Sequence, residues 1–272
     1  MTTAAINARA ASSAGPGVTM ARVLRSERIK LQTLRSSWYT MLAAVVSLLA
    51  IGLLVAYLTS TSSHWATLDL EDRVVSAPLQ GYKLATLFIG VLGVLFVSGE
   101  YGTGMIRSTF ASVPRRLPVL AAKSTVYGLV ALVTMTAASF ATFFSAQIIL
   151  SAHHHGSSLS DPGALRSVAG VGVVLALIAL LGGALGWIVR STAGAISGLV
   201  GLLMVVPAIT GLLPGKVSTT VGKILPSEAG DAFVQSAHKP DTLSPWLGLA
   251  VLVAWVAFSL VVAGATIRRR DA

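Results

Sequence analysis

The sequence predicts an all-α polytopic membrane protein with six transmembrane helices, an N-terminal amphipathic interfacial helix and both termini in the cytoplasm. Three observations predict it. Of the 272 residues, 54% are hydrophobic and only 11% are charged, whereas a soluble domain carries about a quarter charged residues. Mean hydropathy is +0.78. Apolar runs of about 18 residues or more recur, which a soluble helical core does not need. The net charge of +10 would suggest nucleic acid in a soluble protein. Here the lysines and arginines flank apolar runs, so topology accounts for them and no nucleic-acid partner is expected. Cysteine is absent, which excludes disulfides, thiolate metal sites and thiol catalysis.

Residues 1–18 are rich in Ala, Ser, Gly and Thr without periodicity, and are expected to form a disordered tail. Residues 19–38 differ. At 100° per residue, Met20, Val23, Leu24, Leu31, Leu34 and Trp38 share one face, while Arg22, Arg25, Arg28 and Arg35 fall largely on another. This is the pattern of a basic amphipathic helix lying in a headgroup layer. Glu27 projects from the middle of the apolar face, either paired with Lys30 or turned to a partner.

Six spans follow, at about Tyr39–Leu58, Tyr82–Ser98, Ser124–Leu150, Val168–Val189, Ala193–Leu213 and Trp246–Ile267. Each can cross a hydrocarbon core of about 30 Å at about 1.5 Å per residue. Residues 268–272 form a short basic tail. With the N-terminus inside, the cytoplasmic segments hold fourteen of the twenty basic residues, among them Arg22, Arg25, Arg28, Lys30, Arg107, Arg115, Arg116, Lys123 and Arg268–Arg270. Most acids, including Asp69, Glu71, Asp72, Asp161, Glu228, Asp231 and Asp241, fall outside. This bias orients both termini to the cytoplasm.

Catalytic chemistry is missing. Gly215-Lys216 lacks the earlier glycine and the following Ser or Thr of a phosphate-binding loop, and Gly194–Gly198 has its serine one place too late for a nucleophile elbow. His153, His154 and His155 sit together in an outer loop without the spacing of a zinc helix, so their default reading is a loop and their alternative a loose metal site. Hydroxyls and one amide lie in the spans, but deep charges do not. Ion-coupled carriers generally hold ionisable groups near the midplane. If the protein transports, its energy therefore comes from another chain. The hydroxyls of the third span form no tight stripe, so no substrate-binding residues are assigned. Glycines four apart at Gly182–Gly186 and Gly194–Gly198 serve close helix packing, within one chain or between two.

One cytoplasmic island, Glu100–Lys123, stands out. Residues 103–112 can form a short helix with Thr103 as its cap and Val113-Pro114 as its stop. Arg107, Arg115 and Arg116 suit the carboxylates or carbonyls of a soluble partner. Glu100 sits where the second span leaves the membrane, within reach of Arg107 or of the N-terminal helix.

Three motifs resemble the permease subunits of ABC-2 type ABC transporters, especially those of actinobacteria. The first is Ser26-Glu27-Arg28-Ile29-Lys30-Leu31 with Leu34-Arg35-Ser36-Ser37-Trp38. The second is Glu100-Tyr101, Gly102-Thr103-Gly104-Met105-Ile106-Arg107, Pro114-Arg115-Arg116 and Lys123. The third is Leu225-Pro226-Ser227-Glu228-Ala229-Gly230 before the last span. The resemblance implies a multi-pass protein of the bacterial plasma membrane, working as a pair of permeases, each docked on a separate cytoplasmic ATPase. ATP and Mg would bind that partner, and no cofactor would bind this chain. A coupling helix carrying Glu100, Tyr101, Thr103, Arg107, Pro114, Arg115 and Arg116 would transmit ATPase closure. The interfacial helix, with Glu27, Arg28, Lys30 and Trp38, would also touch the ATPase. Pro226, Ser227 and Gly230 would form an outer-loop motif. Two other readings stay open: a non-transporting assembly or immunity factor, and an intramembrane enzyme, which the lack of a catalytic pair in the spans disfavours.

Overall fold

The computed structural model of the chain describes residues 19–61, 75–112, 116–152, 156–214, 216–237 and 241–269. These residues are overwhelmingly helical, with no strand among them. Six helices are long and apolar enough to cross a membrane, so the chain is an all-α polytopic membrane protein.

The N-terminal helix α1 (Met20–Thr33) ends one residue before the first span helix α2 (Arg35–Thr61) begins. The break is the extended backbone of Leu34 (φ −75°, ψ 109°). This shortens the interfacial helix relative to the predicted 19–38 and moves Arg35 and Trp38 onto the first turn of the span. Trp38 is 60% exposed, and its indole Nε1 donates back to Gln32 O at 2.9 Å, bracing the corner. Val23, Glu27 and Leu31 form the buried face of α1, while Met20 and Leu34, predicted to share it, are exposed.

A 3-10 turn, Pro78–Gly81, opens the second span helix α3 (Tyr82–Gly102). A two-residue link then leads to the short helix α4 (Met105–Ser112). Gly104 adopts φ +72° in that link, a conformation glycine takes without steric cost. The third span helix α5 (Arg116–Ser151) has 36 residues, about 54 Å at about 1.5 Å per residue. It begins eight residues before the predicted Ser124. Lys123, read from sequence as loop charge, is an interior helical residue and is buried.

Helix α6 (Ala164–Val189) is the axis of the bundle. Its most apolar window is 72% buried, against 17% for the fifth span. It packs on α3, α5 and the last span α11 (Pro245–Arg269). Small residues allow this. A Cβ at Gly182 would lie 2.1 Å from Gly90 O of α3, so the two backbones touch where side chains would keep them apart.

The fifth span is interrupted. Helix α7 (Thr192–Val200) passes through a π-helical turn, Gly201–Val205, into α8 (Val206–Gly211). Pro207 lacks the N–H that would continue the ladder, and a wider turn next to it accommodates that loss. On the side opposite the described ends of the chain, α9 (Lys216–Lys223) and α10 (Pro226–Val234) precede α11. Arg166 fixes the end of α10: its guanidinium donates to the carbonyls of Phe233, Gln235 (2.8 Å) and Ser236 (3.0 Å). Helix α11 continues through Arg268 and Arg269 rather than ending at Ile267.

Candidate functional site

Four charges meet on the side where α1 and the end of α11 lie. They come from α1 (Glu27, Lys30), the end of α3 (Glu100) and the start of α5 (Lys123). Glu27 and Lys30 are one helical turn apart, which puts both on the α1 face turned to the bundle. Lys30 Nζ donates to Glu27 Oε1 at 2.8 Å, to Glu100 Oε1 at 3.0 Å and to Thr109 Oγ1 of α4 at 3.3 Å. Lys123 Nζ lies 2.6 Å from Glu27 Oε2 and 2.8 Å from Glu100 Oε1, and donates to Phe96 O at 3.5 Å. It also stands 4.1 Å from the Phe96 ring centroid.

The result is a closed ring of alternating charge, with no net charge. Each ammonium has three donors, and each lysine has three acceptors around it. This matters because the Lys123 and Glu27 side chains are each 1% exposed. An isolated buried charge is very costly, and pairing with full hydrogen bonding offsets that cost. Burial alone would lower the Lys30 ammonium. The hydrogen bonds and charges of Glu27 and Glu100 outweigh burial and set it above the ordinary lysine value. Lys30 therefore stays charged at neutral pH. Glu100 Oε2 is buried without a hydrogen-bond partner among the described residues, and Glu27 Oε2 meets Lys123 as an ion pair rather than in hydrogen-bond geometry.

Helix α4 sits against this ring. Its Thr109 accepts from Lys30, and its Ile106, 3% exposed, packs with Val97, Val119, Trp187, Ala263 and Ile267. Those residues are the ends of α3, α5, α6 and α11. Helix α4 is thus tied through Ile106 to a buried cluster at the ends of four spans and through Thr109 to α1.

The structure brings some predicted residues together and leaves others apart. Glu100 pairs with Lys30 of the N-terminal helix, as one of its two expected alternatives, and Arg107 is exposed on the free side of α4. Glu27 takes its pairing alternative, toward both Lys30 and Lys123. Thr103 does not cap α4. Its hydroxyl donates back to Gly99 O at 3.0 Å and so closes α3, because the Gly104 turn separates it from the new helix. Tyr101 lies edge-on to Trp187, with the Arg190 guanidinium 5.3 Å from its ring centroid. Arg116 donates to Ile267 O at 3.1 Å and sits 5.3 Å from the Phe110 ring, so it ties α5 to α11 and α4. Arg28 is exposed. Pro114, Arg115 and His153–His155 lie outside the described residues. Pro226 starts α10 and is buried, Gly230 packs on Val174, and Ser227 lines a cavity at the opposite end of the bundle.

Lys123, Phe96, Thr109 and Ile106 were not singled out as site residues from sequence. The only sequence signal was Lys123 itself, a charge one residue outside an apolar run where nothing required a turn. No protein-family model matches the chain, and no curated protein matches it.

Proposed function

We propose that this chain is the permease subunit of an ATP-driven ABC exporter, a pair of copies working with separate ATPase subunits that bind ATP and Mg. In this reading the side holding α1, α4 and the end of α11 is cytoplasmic, in keeping with the basic residues gathered there, and the membrane is a bacterial plasma membrane.

The observation that carries the reading is the build of α4. It is a short helix outside the spans, with Met105 and Arg107 exposed on one side and Ile106 buried among four span ends on the other. A helix that merely linked two spans would need no such anchor. Anchored on one side and open on the other, it suits a soluble partner that pushes. The ring then passes the motion to α1, since Lys30 touches Thr109, Glu27 and Glu100 at once. The sequence motifs around Glu27, Glu100 and Pro226 point the same way.

Co-purification with ABC-type ATPases tests the reading, comparing wild type with Arg107→Glu. Arg107 is exposed, so the reversal leaves the fold intact. We expect wild type to retain an ATPase and the variant to lose most of that retention and of ATP-dependent transport. A wild-type chain that retains no ATPase, or a variant that transports normally, would overturn it.

A further inference from the structure

At the end of the bundle opposite the charge ring, α3, α6, the fifth span and α10 enclose a cavity of about 260 Å³. Its two sides differ. Leu87, Ile178, Leu203 and Met204 make one side apolar. The other is the first turns of α10, with Ser227, Glu228 and Asp231. Ser227 Oγ is buried and has no hydrogen-bond partner among the described residues. That oxygen lies beneath the wall, out of reach of the cavity, so the polar groups the cavity meets on this side are the carboxylates of Glu228 and Asp231.

The charges set the sign of that ligand. Asp231 accepts a hydrogen bond from the Tyr82 hydroxyl, and Lys83 Nζ lies 3.6 Å from its other oxygen. Lys83 is 60% exposed, so its hold on Asp231 is weak and screened. Above about pH 7, where the buried Asp231 has given up its proton, two acids against one solvated lysine leave the polar side net negative. An anion is therefore excluded, and a neutral solute gains nothing from the carboxylates.

We propose that this cavity binds an amphipathic amine, its apolar body against Leu87, Ile178 and Met204 and its ammonium donating to Asp231 in place of Lys83. A cavity of this volume takes one aromatic ring with a short chain. The inference rests on the transport reading only in making that amine a substrate. Binding itself is a property of this chain alone.

The test uses the full chain in nanodiscs of phosphatidylcholine, so that no lipid amine competes, at about pH 8, where amines and carboxylates are both charged. The probe is 4-phenylbutylamine, measured by calorimetry against empty nanodiscs, with 4-phenylbutanol as its uncharged counterpart. We expect the amine to bind at least about tenfold more tightly than the alcohol, as a charge-assisted hydrogen bond allows. Asp231→Asn should remove that advantage while leaving alcohol binding within about twofold, which also shows that the cavity has kept its shape. Lys83→Met should tighten amine binding. If the amine binds no better than the alcohol, or Asp231→Asn binds it as wild type does, the proposal fails. No ATPase enters this measurement, so its outcome is separate from that of the docking experiment above.

Discussion

Lys123 lies in the interior of a span-forming helix, 1% exposed, a place where an aliphatic side chain is the ordinary choice. It is tolerated because two carboxylates, a carbonyl and an aromatic face surround it. Removing one of these leaves charge behind. We expect Glu100→Gln to destabilise the protein by about 3–5 kcal/mol, the usual cost of breaking a buried ion pair from one side. Lys123→Met should cost a similar amount, since it leaves two buried carboxylates to share Lys30 and Glu27 Oε2 facing no cation. The double variant should cost clearly less than the sum, and thermal unfolding across the double-mutant cycle measures the difference. Asp231 makes the second residue-scale prediction. Burial pushes its carboxyl from 3.8 up to about 7, and the solvated Lys83 does not offset this. Between those values the folded protein keeps a proton that the unfolded chain releases. The stability linked to Asp231 is therefore complete below about pH 4 and is lost as pH rises toward about 7. Unfolding temperatures of wild type relative to Asp231→Asn should fall across that window and level off above it. A difference that does not change with pH would contradict the assignment. At this scale little was legible beforehand. The turn-spaced Glu27 and Lys30 were visible as a pair and Glu100 as within reach of their helix, but Lys123 joins them only through tertiary folding.

Whole elements were far more legible, because a bilayer sets their length and polarity by a rule that sequence obeys directly. All six spans occur where apolar runs predicted them. The departures come from local devices that hydropathy does not register: the extended Leu34 that divides α1 from α2, the early start of α5 with Lys123 hidden inside it, and the π turn before Pro207. The glycine pattern resolves at this scale too. Gly182 meets the α3 backbone within the chain, whereas a Cβ at Gly198 would meet nothing within 4 Å. Two substitutions of one kind should therefore diverge. Gly182→Ala must push α6 away from α3 along their longest contact, and should cost several kcal/mol or prevent folding, as overpacking of a tight core does at its upper end. Gly198→Ala adds a methyl group in open space within a helix and should be neutral or stabilising by about 0.5–1 kcal/mol. Unfolding of both purified variants in the same detergent decides it; equal losses would mean that the fifth span also packs closely, against another chain.

On the scale of the whole molecule, the ring and the cavity sit at opposite ends of the same helices. Helix α3 carries Tyr82 and Lys83 at one end and Glu100 at the other, and α6 runs between the Ile106 cluster and the cavity wall at Ile178. A motion entering at α4 thus has a continuous packed route to the cavity, through helices whose backbones touch at Gly90 and Gly182. What the ring adds can be separated from packing. Buried ion networks are often no more stable than apolar groups of similar size, so their removal as a set tests coupling rather than folding. In the variant Glu27→Met, Lys30→Met, Glu100→Met, Lys123→Met, no charge or buried amide is left unpaired and the volumes are nearly kept. We expect its unfolding temperature to lie within a few degrees of wild type, in contrast to either single change at Glu100 or Lys123. On the transport reading the Ile106 anchor is untouched, so a docked ATPase should still hydrolyse ATP. The link from α4 to α1 through Lys30 and Thr109 is gone, so on the transport reading substrate movement per ATP should drop by about tenfold or more. Transport at the wild-type ratio in a stable fourfold variant would reduce the ring to a fold-specifying device and leave coupling to Ile106 alone.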